Sequence, residues 1–207
     1  MRRILLSLVA IVALQAPPAG AQAQAPAVDG TPTRVSGTVA KLDGNTLTVT
    51  TKDGQTANVM LAPDVAVFGL AKATLADIKP GDFVASGGVR TPDGKIHAVE
   101  VRIFPESLRG AGEGQRPWDV KPEGVMTNAT VGTVIASADG GLIKVTYKGG
   151  ESEYTVGPDV PILLYVPGDT SLLKPGAAVF LVALKKPDGI LTANRVTAEK
   201  DGVKPPF

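Results

Sequence analysis

Apolar and polar residues alternate with a period of two in short runs, most plainly at Leu47 and Val49 against Thr46, Thr48 and Thr50. That period places successive side chains on opposite faces of a strand, so such runs predict half-buried β-strands. In the first half they cover residues 34–42, 46–51, 56–61, 65–70, 82–90 and 95–104. In the second they cover 128–136, 142–147, 151–156, 162–166, 178–184 and 190–198. Turn chemistry separates them. Asp43-Gly44-Asn45 and Lys52-Asp53-Gly54 read as hairpin turns in which glycine supplies the positive φ. Residues 73–78 read as one helical turn, capped by Thr74 and stopped by Lys79-Pro80-Gly81.

The two halves repeat each other. Gly37-Thr38-Val39 matches Gly132-Thr133-Val134, and Ala62-Pro63-Asp64-Val65 matches Gly157-Pro158-Asp159-Val160. Lys79-Pro80-Gly81, preceded by Ile78, matches Lys174-Pro175-Gly176, preceded by Leu173. Pro92-Asp93-Gly94 matches Pro187-Asp188-Gly189. A single offset fits all of these, while Asp43-Gly44 and Lys52 run one residue out against Asp139-Gly140 and Lys148. A constant offset marks a duplicated unit. Five or six short antiparallel strands with one helical turn close naturally into a small barrel. The expected fold is therefore all-β, with two tandem small antiparallel barrels, OB-like or SH3-like, over 34–104 and 128–200. Residues 105–127 join them and 201–207 form a tail. An outer-membrane barrel fits poorly, because its strands need ~10 residues each and the Pro-rich end, Lys204-Pro205-Pro206, cannot form a terminal strand.

The joining segment concentrates unusual residues. It carries the sole Trp, Trp118, together with Glu106, Arg109, Glu113, Arg116 and Asp119 among alternating glycines. Connections this long are functional or flexible, and flexible ones lack apolar anchors. Phe104, Leu108, Trp118, Val120, Val125 and Met126 are such anchors, so an ordered connector is expected. Trp118 should lie buried in the groove between the barrels. Arg109 and Arg116 should pair with Glu106, Glu113 or Asp119, since a guanidinium fork matches a carboxylate.

Arg2 and Arg3 precede an apolar run at 4–14, then Pro17-Pro18 and Ala-x-Ala sites at 19–21 and 21–23. This is the layout of a signal peptide over 1–23, with a flexible segment at 24–33 after cleavage. The run is about half the ~20 residues of a spanning helix, so the mature chain should not span the membrane by a helix. Lys and Arg number 21 against 20 acidic residues, a net charge of +1, which argues against a nucleic-acid partner. The chain has no Cys, which removes disulfides, thiolate metal sites and Cys nucleophiles.

The Gly-Thr-Val and Pro-Asp-Gly landmarks, Leu75-Ala76-Asp77-Ile78-Lys79-Pro80-Gly81-Asp82 and the central Ile103-Phe104-Pro105-Glu106-Ser107 carry a resemblance. With them go Gly112-Glu113-Gly114, Arg116-Pro117-Trp118-Asp119 and Met126-Thr127-Asn128-Ala129-Thr130. Together they resemble a group of exported bacterial proteins with a small β-barrel domain of unknown function, often labelled "metal ABC transporter permease". The resemblance covers nearly the whole mature chain and implies export and a β-barrel fold. His commonly stands in that pattern where this chain has Gln115, which weakens a metal-ligand reading of the segment. The permease label also conflicts with the sequence, since a permease needs several spanning helices.

His97 is the only His, expected half-buried at a barrel mouth on the same face as Val99, Val101 and Ile103. One imidazole without Cys cannot build a transition-metal cage, so neither a metal nor another cofactor is expected. Gly110 to Gly114 is not a phosphate loop, because no Lys-Ser/Thr follows it. A Gly-x-Ser-x-Gly elbow is also absent. The expected role is a non-catalytic module, periplasmic or secreted, that binds a partner protein or an envelope component. A small-ligand or metal-ion accessory protein with a site between the barrels is the alternative, and a hydrolase using the connector carboxylates a third.

Overall fold

The computed structural model describes residues 30–206 apart from 138 and 139. The expected signal peptide, residues 24–29, Asp139 of the second repeat's first turn and Phe207 lie outside the described residues. Among the described residues there are twelve strands and three short 3-10 turns, an all-β fold. The strands are β1 (Thr31–Asp43), β2 (Thr46–Thr51), β3 (Thr56–Ala73), β4 (Phe83–Arg90), β5 (Ile96–Ile103) and β6 (Gly114–Pro117). They continue with β7 (Gly124–Ser137), β8 (Gly140–Tyr147), β9 (Gly150–Val156), β10 (Ile162–Gly168), β11 (Ala178–Lys185) and β12 (Leu191–Ala198). Among the described residues no helix is long and apolar enough to cross a membrane.

Pairing does not follow the repeat boundary. β1 pairs with β2, β2 with β3, β3 with β12, β12 with β11 and β11 with β1, which closes a five-stranded barrel. A second ring runs β4, β7, β8, β9, β5 and back to β4. Its parallel β5–β9 seam consists of Ile96↔Tyr154 and His97↔Thr155. Each ring thus takes a three-strand meander from one repeat and a two-strand hairpin from the other. Closure of 34–104 and 128–200 each upon itself, as the repeats suggested, is not what the pairings show.

The cause lies in β3. Two strands and a turn were expected where one strand runs 18 residues. Ala62 to Val65 do not reverse the chain. They bulge against β12, whose register moves from Leu61↔Ala193 to Ala66↔Arg195. Pro63 has no N–H to give to a ladder and is tolerated in such a bulge. The chain then continues straight on and delivers β4 and β5 to the other ring. Its far half pairs antiparallel with β10, and the repeat-equivalent residues Leu70 and Tyr165 face each other at the centre. A local twofold relation between the repeats passes there.

The cores record the same exchange. Val35, Leu47, Val49 and Val59 of the first repeat pack with Leu173, Val179, Leu181 and Val196 of the second. Ile78, Val84 and Val101 pack with Val131, Ile143 and Tyr154 in the other ring. Phe68, Leu70, Leu163 and Tyr165 fill the space at the twofold, with Phe104 and the tail residue Val203 against them.

Two details differ from the sequence reading and one agrees with it. Strand β1 starts at Thr31, inside the segment expected to be flexible, because Thr31 to Thr33 pair with Lys185 to Ala183. Val39 accepts from the Gly176 amide at 2.9 Å and Val131 from the Gly81 amide at 2.8 Å. Val39 therefore corresponds to Val131, not Val134, because the β7–β8 hairpin is longer beyond its bulge. The helical turn forms as expected at Leu75–Asp77, where the Asp77 carboxylate accepts from the Thr74 amide and hydroxyl at 2.8 Å each.

Candidate functional site

The connector is ordered and crosses between the rings. Its strand β6 adds to the edge of β7, with Gln115 opposite Thr127 and Arg116 opposite Met126. This pairing fixes the next residue but one, Trp118, which is 4% exposed. The Trp118 amide donates to Gly124 O at 2.8 Å, and a Cβ at Gly124 would lie 2.1 Å from Trp118 O. Its indole lies over Gly87, where a Cβ would meet Cη2 at 2.9 Å. Trp118 lines a groove whose walls come from both rings: Arg34, Phe180 and Val182 on one side, Ala85, Glu100, Arg102 and Met126 on the other.

The arginine pairings follow the expectation only in part. Arg109 Nε donates to Glu106 at 2.6 Å and its Nη2 to Gly81 O at 3.0 Å. That exposed pair ties the connector to the β4 turn, away from the groove. Glu113 accepts from the Lys148 amide at 2.9 Å and so holds the β8–β9 turn. Asp119 pairs with Arg34 of β1, across to the other ring. Arg116 donates to the Gly112 carbonyl at 2.9 Å and meets no carboxylate among the described residues. Of the six connector residues singled out by sequence, the structure brings together Arg116, Trp118 and Asp119. Glu106, Arg109 and Glu113 are separate and structural.

The site contains residues the sequence reading passed over. Glu100 and Arg102 point outward from β5 into the groove, where both are buried. Arg102 Nη2 donates to Glu100 at 2.9 Å, its Nη1 to the Tyr165 hydroxyl at 3.3 Å, and its guanidinium lies 5.5 Å from the Phe180 ring centre. Burial pushes the Glu100 carboxyl above its ordinary pKa, with the Arg102 charge opposing. A bulge at Val99 produces this outward aim: Gly87 faces Glu100, but Gly88 faces Ala98. The same bulge corrects His97, which is exposed on the face opposite Val101 and Ile103. Counting alternation through a bulge inverts every later side chain.

Gln115 closes the mouth of the second ring, donating to Thr127 Oγ1 at 3.0 Å and Ser152 Oγ at 2.6 Å. Thr127 Oγ1 in turn meets the Tyr154 hydroxyl at 2.5 Å. Beside it a cleft of about 700 Å³ opens, lined by Arg34, Arg90, Gln115, Arg116, Trp118 and the 119–125 turn. At its rim Glu123 holds a φ of 53°, a left-handed conformation that glycine adopts more easily. Among the described residues no three His, Asp or Glu side chains gather as a metal site. No protein family, no curated protein and no solved structure matches this chain, so its function must be argued from the cleft itself.

Proposed function

We propose that this chain is an exported, non-catalytic binding module whose site is the cleft where the connector crosses between the rings. The observation that carries the reading is the connector itself. It is anchored by a buried Trp and by strand pairing, yet it leaves an open cleft with arginines from β1, β4 and β6 around it. Ordered irregular segments held on a rigid β-frame are where binding residues concentrate. Trp and Arg are also the residues enriched where partners bind most strongly. Glu106, Glu113 and Asp119 of the connector are each engaged in a structural bond, which favours binding over hydrolysis. We further propose that the second ring acts as a barrel in its own right, so that two small barrels flank the site. Under this reading the segment before residue 24 directs export to the periplasm, where an envelope protein or small ligand is met.

A pull-down with the mature chain against envelope extracts tests the proposal. A partner retained by the intact chain and lost with Arg34→Gln/Arg116→Gln is the expected result. Equal capture by both proteins, or none, would overturn the cleft as the binding site.

A further inference from the structure

We infer that the cleft binds an oxyanion, gripping a phosphate or carboxylate group of its ligand between Arg90 and Arg116; this rests on reading the cleft as a binding site. The first support is charge. Four cationic residues, Arg34, Arg90, Arg116 and Lys121, line the cleft against two carboxylates, Asp119 and Glu123. The whole chain, by contrast, carries a net +1.

The second support is how the cations are held. Other arginines nearby are neutralised: Arg34 by Asp119, Arg102 by Glu100, Arg109 by Glu106. Arg90 and Arg116 are instead steadied by neutral acceptors. Arg116 Nη1 donates to Gly112 O at 2.9 Å. Arg90 makes long contacts of 3.5 Å to Gly94 O and to Gln115 Oε1. Such bonds orient a guanidinium and leave its charge unspent. Although its side chain is exposed by area, surrounding protein depresses the Arg116 pKa, and the nearby Arg34 charge depresses it further. An anion placed there would relieve that repulsion.

The third support is rigidity. Arg116 sits on β6, locked to β7, and the Arg90 amide donates to Glu123 O at 3.0 Å across the cleft floor. Guanidinium forks fixed in this way suit bidentate contact with a planar carboxylate or a tetrahedral phosphate. With Arg34 and Asp119 paired to each other, a cation entering the cleft would find three further positive groups, Arg90, Arg116 and Lys121, against the one carboxylate of Glu123.

The full mature chain can be titrated at low salt with pyrophosphate and, separately, with citrate. Trp118, the sole Trp, serves as the fluorescent reporter and calorimetry as an independent readout. Saturable binding of either anion is expected. Arg116→Gln and Arg90→Gln should each weaken it at least about tenfold, the worth of one charge-assisted hydrogen bond. Arg109→Gln, outside the cleft, should leave it unchanged. The tighter of the two anions identifies the ligand group as phosphate or carboxylate. No saturable binding, equal affinity in the variants, or a signal that chloride reproduces would overturn the inference. So would a pull-down partner held equally by the intact chain and by Arg90→Gln/Arg116→Gln. In that last case the cleft's binding role would survive if Arg34→Gln/Arg116→Gln still lost the partner.

Discussion

Strands β4 and β11 are repeat-equivalents and pair with β7 and β1 in the two rings, yet their outward faces differ. β11 shows Phe180 and Val182, and Val182 is 47% exposed. The corresponding positions on β4 are Ala85 and Gly87, and Trp118 covers Gly87. The same contrast recurs one strand over. β5 aims the buried Glu100 and Arg102 into the groove, whereas the matching positions on β12 hold Arg195 and Thr197. A duplicated frame is thus made asymmetric by removing side chains where the connector must dock. Glycine inside a strand reduces stability by itself, and its use here is close approach by another group.

Removing what fills the gap should have the largest effect. Trp118→Ala should destabilise the chain by ~3–5 kcal/mol, as for other large-to-small changes in a core. Denaturant unfolding would read this. Val182→Ala, on the equivalent uncovered face, should stay within about 0.5 kcal/mol. Similar losses for both would mean that the two faces are not distinguished by the connector.

Arg102→Met should also cost about 3–5 kcal/mol near neutral pH, because Glu100 would be left buried without its partner. Thr197→Val, at the matching place on β12, should change far less. The Arg102→Met loss depends on pH in a defined direction. Burial already holds Glu100 above its ordinary value of 4.5. A group that binds its proton more tightly when folded adds stability at low pH and loses it as pH rises through the raised value. The variant should therefore be least impaired in acid and increasingly impaired from about pH 4.5 upward. A penalty that grows toward acid would contradict the assignment.

Strand periodicity and turn residues were readable because they are local. Leu47 and Val49 against their threonines, the Pro-Asp-Gly hairpins and the Thr74 cap all form where local chemistry places them. Ring closure was not local. Whether Ala62 to Val65 reverse or bulge depends on β12, more than a hundred residues later in the chain. The missed groove residues have the same origin, since the outward aim of Glu100 and Arg102 follows from a bulge that single-strand alternation does not show. One signal was present in the sequence: Gly87-Gly88 interrupts an otherwise apolar strand and marks the docking place of Trp118.

Smaller changes sharpen the comparison. Gly87→Val copies Val182 onto the covered face. It should cost about 1–3 kcal/mol through overpacking and shift Trp118 emission to the red as the indole is pushed out. Glu123→Gly relieves a left-handed backbone at the cleft rim and should stabilise by about 0.5–1 kcal/mol in thermal unfolding.

Cross-strand nuclear Overhauser contacts of β1 test the exchange of hairpins between repeats most directly. The observed pairing places Val35 opposite Leu181 and Gly37 opposite Val179, while Val84 faces Ala129. Backbone contacts between those residues should appear in the intact chain. Contacts of Val35 and Gly37 with β4 in their place would show that each repeat closes on itself, and would contradict the shared rings on which the groove, the docking of Trp118 and the cleft depend.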